Sequence, residues 1–191
     1  MKKQDQNRGI RYQTMLIVLC CSLLFFGVPK INSQTANEYT LKSVFLLRVA
    51  NFVEWPEGKE NNNPKKNFII SIYGDDPFNG LLLSAIASQK YTVKNKDIVI
   101  RKINNTLEIE SSDILFISSS EKYNLTKILD FVKNKPILTI GDTKGFTERG
   151  VMVNMFIEDL FLKFDINLVS SKESNIYISS KLLSNAHRVI K

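Results

Sequence analysis

His187 is the only histidine among the 191 residues, so a Ser-His-Asp hydrolase would have to use it as its base. Ser118, Ser119 and Ser120 offer hydroxyls, yet none sits in the Gly-x-Ser-x-Gly elbow that holds a nucleophile clear of its strand. His187 lies one residue off an apolar stripe, and an exposed helical histidine is a better reading than a catalytic one. Gly141-Asp142-Thr143-Lys144-Gly145 follows an apolar strand, at the edge where open α/β sheets bind ligands, and resembles a phosphate loop only loosely. The Walker pattern needs four residues between its glycines and then Lys-Ser/Thr; here three intervene and Phe146 follows. A turn with glycines at positive φ fits better. Asp75-Asp76 and Glu158-Asp159 are acidic pairs, but a metal wants more converging oxygens or imidazoles, and these read as a helix cap and a hairpin tip. No catalytic residue, metal or cofactor is expected. Trp55, the sole tryptophan, precedes Pro56 and reads first as a packing anchor, second as a partner contact.

The elements that carry these residues alternate in period. Glu38 to Trp55 is helical, with Leu41, Val44, Phe45, Val49 and Phe52 at three- and four-residue steps and Pro56 as its stop. Leu46, Leu47, Ala50 and Val53 widen the stripe, so this helix is either covered on two sides or offers a face to a partner. Phe68 to Tyr73, Ile114 to Ile117 and Ile137 to Ile140 are continuous apolar runs, the mark of strands covered on both faces. Between them lie a helix from about Phe78 to Gln89, with Asp76 as N-cap and Pro77 at its first position, and another from Glu121 to Lys133 with Tyr123 inward. Lys96 to Ile103 is a strand whose Arg101 and Lys102 place it towards a sheet edge.

The last third breaks the alternation. Val151 to Ile157 and Leu160 to Leu168 predict a hairpin turned at Glu158-Asp159, its second strand half-buried through Leu162, Phe164 and Ile166. Ser179 then caps a closing helix with Leu182, Leu183, Ala186, Val189 and Ile190 on one stripe. The whole predicts one three-layer α/β/α domain, its sheet mostly parallel, with a C-terminal antiparallel hairpin and flanking helices.

Composition narrows the partners. The net charge of +7 suggests an anionic partner only until the N-terminus is read. Lys2, Lys3, Arg8 and Arg11 precede the apolar run Met15 to Val28, which is short for a bilayer and is followed by Pro29 and small polar residues. This is the pattern of a secretory signal peptide over residues 1–33, cleaved after Ser33 or after Ala36. The remaining 34–191 carry 21 basic and 18 acidic side chains, so the excess falls to +3. Lys65-Lys66 reads as solvated surface, and no nucleic acid is expected as a partner. Cys20 and Cys21 both lie in the signal run, which leaves an exported, periplasmic domain without disulfides.

In order and spacing the chain resembles the YfiR/HmsC-like family of exported bacterial regulators. The matching residues are Phe52-Val53-Glu54-Trp55-Pro56, Gly74-Asp75-Asp76-Pro77-Phe78, Ile114-Leu115-Phe116-Ile117-Ser118, Ile140-Gly141-Asp142, Gly145-Phe146, Gly150, Asn154-Met155-Phe156, Phe164-Asp165-Ile166-Asn167-Leu168 and Ile178-Ser179-Ser180-Lys181-Leu182-Leu183. The resemblance implies a non-enzymatic protein that represses an inner-membrane sensor, a diguanylate cyclase or a histidine kinase, through its periplasmic domain, and that can form a homodimer. Phe45, Arg48, Trp55, Asp142 and Phe146 are the expected partner-binding residues. The alternative is a periplasmic small-molecule-binding domain with a crevice at Gly74, Asp75, Gly141 and Asp142.

Overall fold

The computed structural model describes residues 33–56 and 67–191. The expected signal segment up to residue 32 and the loop bearing Lys65-Lys66 lie outside the described residues. The chain divides into two compact units, Met1–Ala36 and Asn37–Lys191, and the second carries all the described strands.

Helix α1 (Ser33–Val49) passes through a 3-10 turn (Ala50–Phe52) into β1 (Val53–Glu54). Then come β2 (Asn67–Tyr73), α2 (Leu81–Gln89), β3 (Thr92–Val93), β4 (Lys96–Ile103), a 3-10 segment (Thr106–Ser111), β5 (Ile114–Ile117) and α3 (Leu125–Val132). The chain continues with β6 (Leu138–Gly141), β7 (Val153–Glu158), β8 (Phe161–Asn167), α4 (Leu168–Glu173), β9 (Tyr177–Ile178), α5 (Ser180–Ser184) and β10 (Arg188–Ile190).

Eight strands form one sheet in the order β10-β8-β7-β6-β5-β2-β4-β3. From β7 to β4 every neighbour is parallel; β8 runs against β7, β3 against β4, and β10 runs parallel to β8. The mixed α/β architecture with a mostly parallel sheet is therefore as the periodicity predicts. The reason lies in the apolar runs: β5 and β6 are buried at every residue, which requires cover on both faces. One face packs Leu46 and Leu47 of α1, Ala50 of the 3-10 turn and Leu82 of α2 against Ile70, Ile72, Phe116 and Ile140. The other packs Leu125, Ile128 and Val132 of α3 and Ile109 against Leu115 and Ile117.

Several local expectations are corrected. The first helix ends at Val49 rather than Trp55, because Val53 and Glu54 pair antiparallel with Ile178 and Tyr177 of β9. Asp76 does not cap a helix at Phe78. Its Oδ1 accepts from Phe78 N–H at 2.8 Å, and Asn79 and Gly80 then take left-handed φ of 48° and 83°, so α2 starts at Leu81. Tyr123 lies before α3 and is 85% exposed rather than inward.

The hairpin turns one residue later than expected, at Asp159-Leu160, where both φ are positive as a two-residue type I′ turn requires. The closing helix is the largest correction. α5 stops at Ser184, and Arg188-Val189-Ile190 pair parallel with Asp165-Ile166-Asn167. A short apolar run reads equally as helix or strand, and the open edge of β8 decides the matter by offering backbone partners, beginning with Phe164 O for His187 N–H at 2.9 Å.

Candidate functional site: a polar cleft beside the Asp142–Gly150 loop

The loop that leaves β6 is positioned by one carboxylate. Asp142 Oδ2 accepts from Tyr39 Oη at 2.9 Å and from Lys42 Nζ at 2.8 Å, both on α1. Lys42 is 2% exposed, and the Lys42 and Asp142 side chains are almost wholly out of water. An ammonium so placed needs its counter-charge; Glu38 supplies a second, one turn earlier. Burial, then the Asp142 charge and hydrogen bond, push the Tyr39 phenol well above its ordinary value, so it stays a donor. Asp142 is thereby placed in an enclosed bond to α1 rather than on a contact surface.

Beyond it the loop turns through Gly145 at φ +87° and drops Phe146 into the core beneath α3, where it is 1% exposed. Phe146 too is removed from the expected contact surface. The space for its ring exists because residue 141 is glycine: a Cβ there would stand 2.7 Å from Phe146 Cδ2 and 3.3 Å from Asn154 Oδ1. Gly141→Ala is expected to lower stability by about 1–3 kcal/mol through overpacking, read as a lower urea midpoint at unchanged m-value.

The remaining expected contacts stay nearer the surface. Phe45 is half-buried with its ring 4.9 Å from that of Phe164. Arg48 is exposed and donates from Nε to Tyr91 Oη at 2.9 Å. Trp55 stacks edge-on to Phe68 at 5.5 Å, with Lys94 Nζ 5.3 Å from its ring centre. The four residues expected to line a crevice, Gly74, Asp75, Gly141 and Asp142, lie at the ends of β2 and β6, which are not neighbours in the sheet. β5 separates β2 from β6, and the turn after β5 fills the space above Gly74, where a Cβ would stand 2.5 Å from Ser120 Oγ. Asp75 N–H donates to that same hydroxyl at 3.0 Å.

The hydrolase constellation also dissolves. Ser118 to Ser120 follow β5 and His187 precedes β10, with β6, β7 and β8 between them. His187 is exposed as expected, but it lies on the approach to an edge strand and not on a helix, with Nδ1 2.9 Å from Asp165 Oδ1 and its ring edge-on to Phe156. Asp165 Oδ2 in turn accepts from Arg188 Nε at 3.1 Å and Nη2 at 2.6 Å, and Arg188 Nη2 also meets Glu148. Arg188 holds Glu148 below the usual carboxylate range, and the pairing raises Arg188 in return.

These residues border a cleft of about 610 Å³ lined by the loop from Asp142 to Glu148, by Asn154, Phe156, Glu158 and Asp165 of the hairpin, and by His187 and Arg188. The registers Gly141↔Asn154 and Asn154↔Asp165↔Arg188 put these four side-chain positions in one row on the floor. Asn154 and Asp165 are 5% and 7% exposed, so this face of the hairpin is not the solvated one that its alternation predicts. Of the residues expected to bind a partner or ligand only Asp142 lines the cleft, although Lys144, Gly145, Glu158 and His187, which the sequence marks for other reasons, line it too. Asn154 and Asp165 are legible only as polar residues at period two within apolar strands, in Asn154-Met155-Phe156 and Asp165-Ile166-Asn167. Among the described residues no group of three His, Cys, Asp or Glu could hold a metal, and no helix is long and apolar enough to cross a membrane.

No curated protein matches the chain. Among solved structures, a conserved domain protein of Vibrio cholerae O1 biovar El Tor is 12% identical with a TM-score of 0.50, covering 78% of this chain and 60% of that one. An ABC domain from Streptococcus pneumoniae solved with L-Trp is 15% identical with a TM-score of 0.47, covering 65% of this chain and 55% of that one. The chain thus spans less than two-thirds of each, and the first likeness concerns the α/β fold alone. The family profile described as YfiR/HmsC-like matches residues 39–187, from Tyr39, which holds Asp142, to His187, which meets Asp165. That match takes in every strand of the sheet except β10, both cores and all of the cleft lining except Arg188, and the chain belongs to the YfiR/HmsC-like family, which is regulatory rather than catalytic.

Proposed function

We propose that this protein is an exported periplasmic regulator that binds the periplasmic domain of an inner-membrane signalling protein, a diguanylate cyclase or a histidine kinase, and holds it in its inactive state. The family match over residues 39–187 is the observation that carries the reading. Repression needs only differential affinity: the regulator biases its target by as much as it prefers the off state. The exposed side of α1 supports a contact there, with Leu41 and Arg48 open to solvent and Phe45 half-buried between them.

Capture of membrane proteins with tagged protein, from cells grown with and without envelope stress, identifies the target, and cyclic-di-GMP in a deletion strain reports the consequence. Recovery of a membrane sensor together with a rise in cyclic-di-GMP, or in phosphorylation by the recovered kinase, is expected. No recovered sensor together with unchanged signalling would overturn the reading. Arg48→Glu is expected to weaken capture about tenfold by reversing a contact charge, while stability stays within about 0.5 kcal/mol because the site is exposed.

A further inference from the structure

The cleft beside the loop holds four carboxylates, and each already has its partners. Asp142 is held by Tyr39 and Lys42, Asp165 by His187 and Arg188, Glu148 by Arg188, and Glu158 by Lys163. What is left over is of the opposite kind. Lys144 is exposed and meets no side chain among the described residues, and Arg188 donates from Nε and Nη2 while Nη1 donates to none of them. Asn154, 5% exposed in the floor, makes no side-chain hydrogen bond among the described residues, and its Oδ1 is wholly enclosed. Thr147 Oγ1, on the loop side of the same cleft, is likewise enclosed and unpaired. Those two oxygens are closed off from the cleft and do not face what enters it; the group that Asn154 offers there is its Nδ2 amide, a donor that no acceptor among the described residues takes up.

We propose that this cleft binds a small hydroxylated organic anion, whose carboxylate or phosphate lies at Lys144, Arg188 Nη1 and Asn154 and whose carbon skeleton lies along Phe156. Ammonium, guanidinium and amide N–H groups are donors that suit anionic oxygens, and the free edge of the Arg188 fork presents two N–H bonds in one plane. The hydroxyl is called for by His187. Asp165 only accepts, so Nδ1 carries a proton whichever charge the ring holds, and Nε2 has no partner among the described residues. A ligand hydroxyl, which can both donate and accept, pairs with this nitrogen in either state. The half-buried Phe156 ring gives the skeleton an apolar wall, and about 610 Å³ is the volume of a small-molecule site rather than that of a lone inorganic ion. The proposal stands independently of the membrane partner, since it concerns the purified protein alone.

Titration of the 15N-labelled protein with L-malate, glycerol 3-phosphate, inorganic phosphate and glycerol, followed by backbone amide shifts, tests it. Saturable shifts confined to residues 144–148, Asn154 and 187–188 are expected with malate or with glycerol 3-phosphate, at a Kd of about 1 mM or tighter. Saturation by malate alone assigns a carboxylate head, by glycerol 3-phosphate alone a phosphate, and by both a site that takes either. Lys144→Gln, at an exposed position that leaves the fold intact, is expected to weaken the better ligand about tenfold, and Asn154→Leu to remove saturation with the spectrum otherwise kept. Absence of saturable shifts with both organic anions would overturn the proposal, as would equal binding of inorganic phosphate or glycerol, or affinity untouched by Lys144→Gln.

Discussion

Replacing Asp142 by alanine is expected to destabilise the protein by about 3 kcal/mol, because it leaves the buried Lys42 ammonium with only the part-exposed Glu38 as its counter-charge. For a domain of this size that is a fall of roughly 10 °C in Tm, measurable by circular dichroism. Loss of one hydrogen bond alone would cost about 1 kcal/mol, so the magnitude separates a buried charge deprived of its closest enclosed partner from a missing contact. The double variant Lys42→Met with Asp142→Ala removes both partners and is expected to recover most of the loss; a double variant no more stable than Asp142→Ala would show that the pair is not what matters. Tyr39 offers an independent check with a definite sign. Its phenol titrates higher in the folded protein than in the unfolded chain, so its contribution is complete below pH 10 and is lost as pH rises through the native value. In Asp142→Ala that alkaline loss is expected to shrink, since only burial and the Glu38 charge then hold the phenol up.

Phe146→Ala is the second large effect, expected at about 3–5 kcal/mol from the cavity it opens between α3 and the loop. Urea unfolding checks it through a lowered midpoint at constant m-value, with Phe146→Leu losing far less because most of the volume is kept. A residue that served partner contact would show the reverse pattern, full stability with lost binding. Phe146 and Asp142 sit on one loop, so their combined effect is expected to fall short of the sum.

The apolar runs made the sheet legible: Ile114 to Ile117 and Ile137 to Ile140 are strands because nothing else buries every side chain over so short a length. What the residues could not show was competition between local preference and distant partners. Val189 and Ile190 fit a helical stripe as well as a strand, and only the free edge of β8, whose Ile166 and Asn167 lie 23 residues earlier, decides between them. Asp76-Pro77 has the chemistry of a helix start, but Asn79 and Gly80 defer the helix by three residues through their left-handed backbone. The candidate site was less legible still. Asp142 was singled out for its place after a strand, whereas the Lys42 that fixes its role lies 100 residues earlier. Asp165, Asn154 and Arg188 carry no motif; the pairing registers alone bring them into one row.

Arg101 and Lys102 interrupt the apolar pattern of β4, and the topology shows what they accompany. β3 pairs only with Lys96 and Asp97, so from Ile98 onward the outer edge of β4 has no strand partner among the described residues. An unpaired edge next to Ile98, Val99 and Ile100 is a template onto which another chain can add, in the manner of amyloid. Two exposed positive charges at the end of that run make such stacking self-repelling, for each added copy would bring its own pair alongside. They therefore oppose edge-to-edge stacking of further copies along β4.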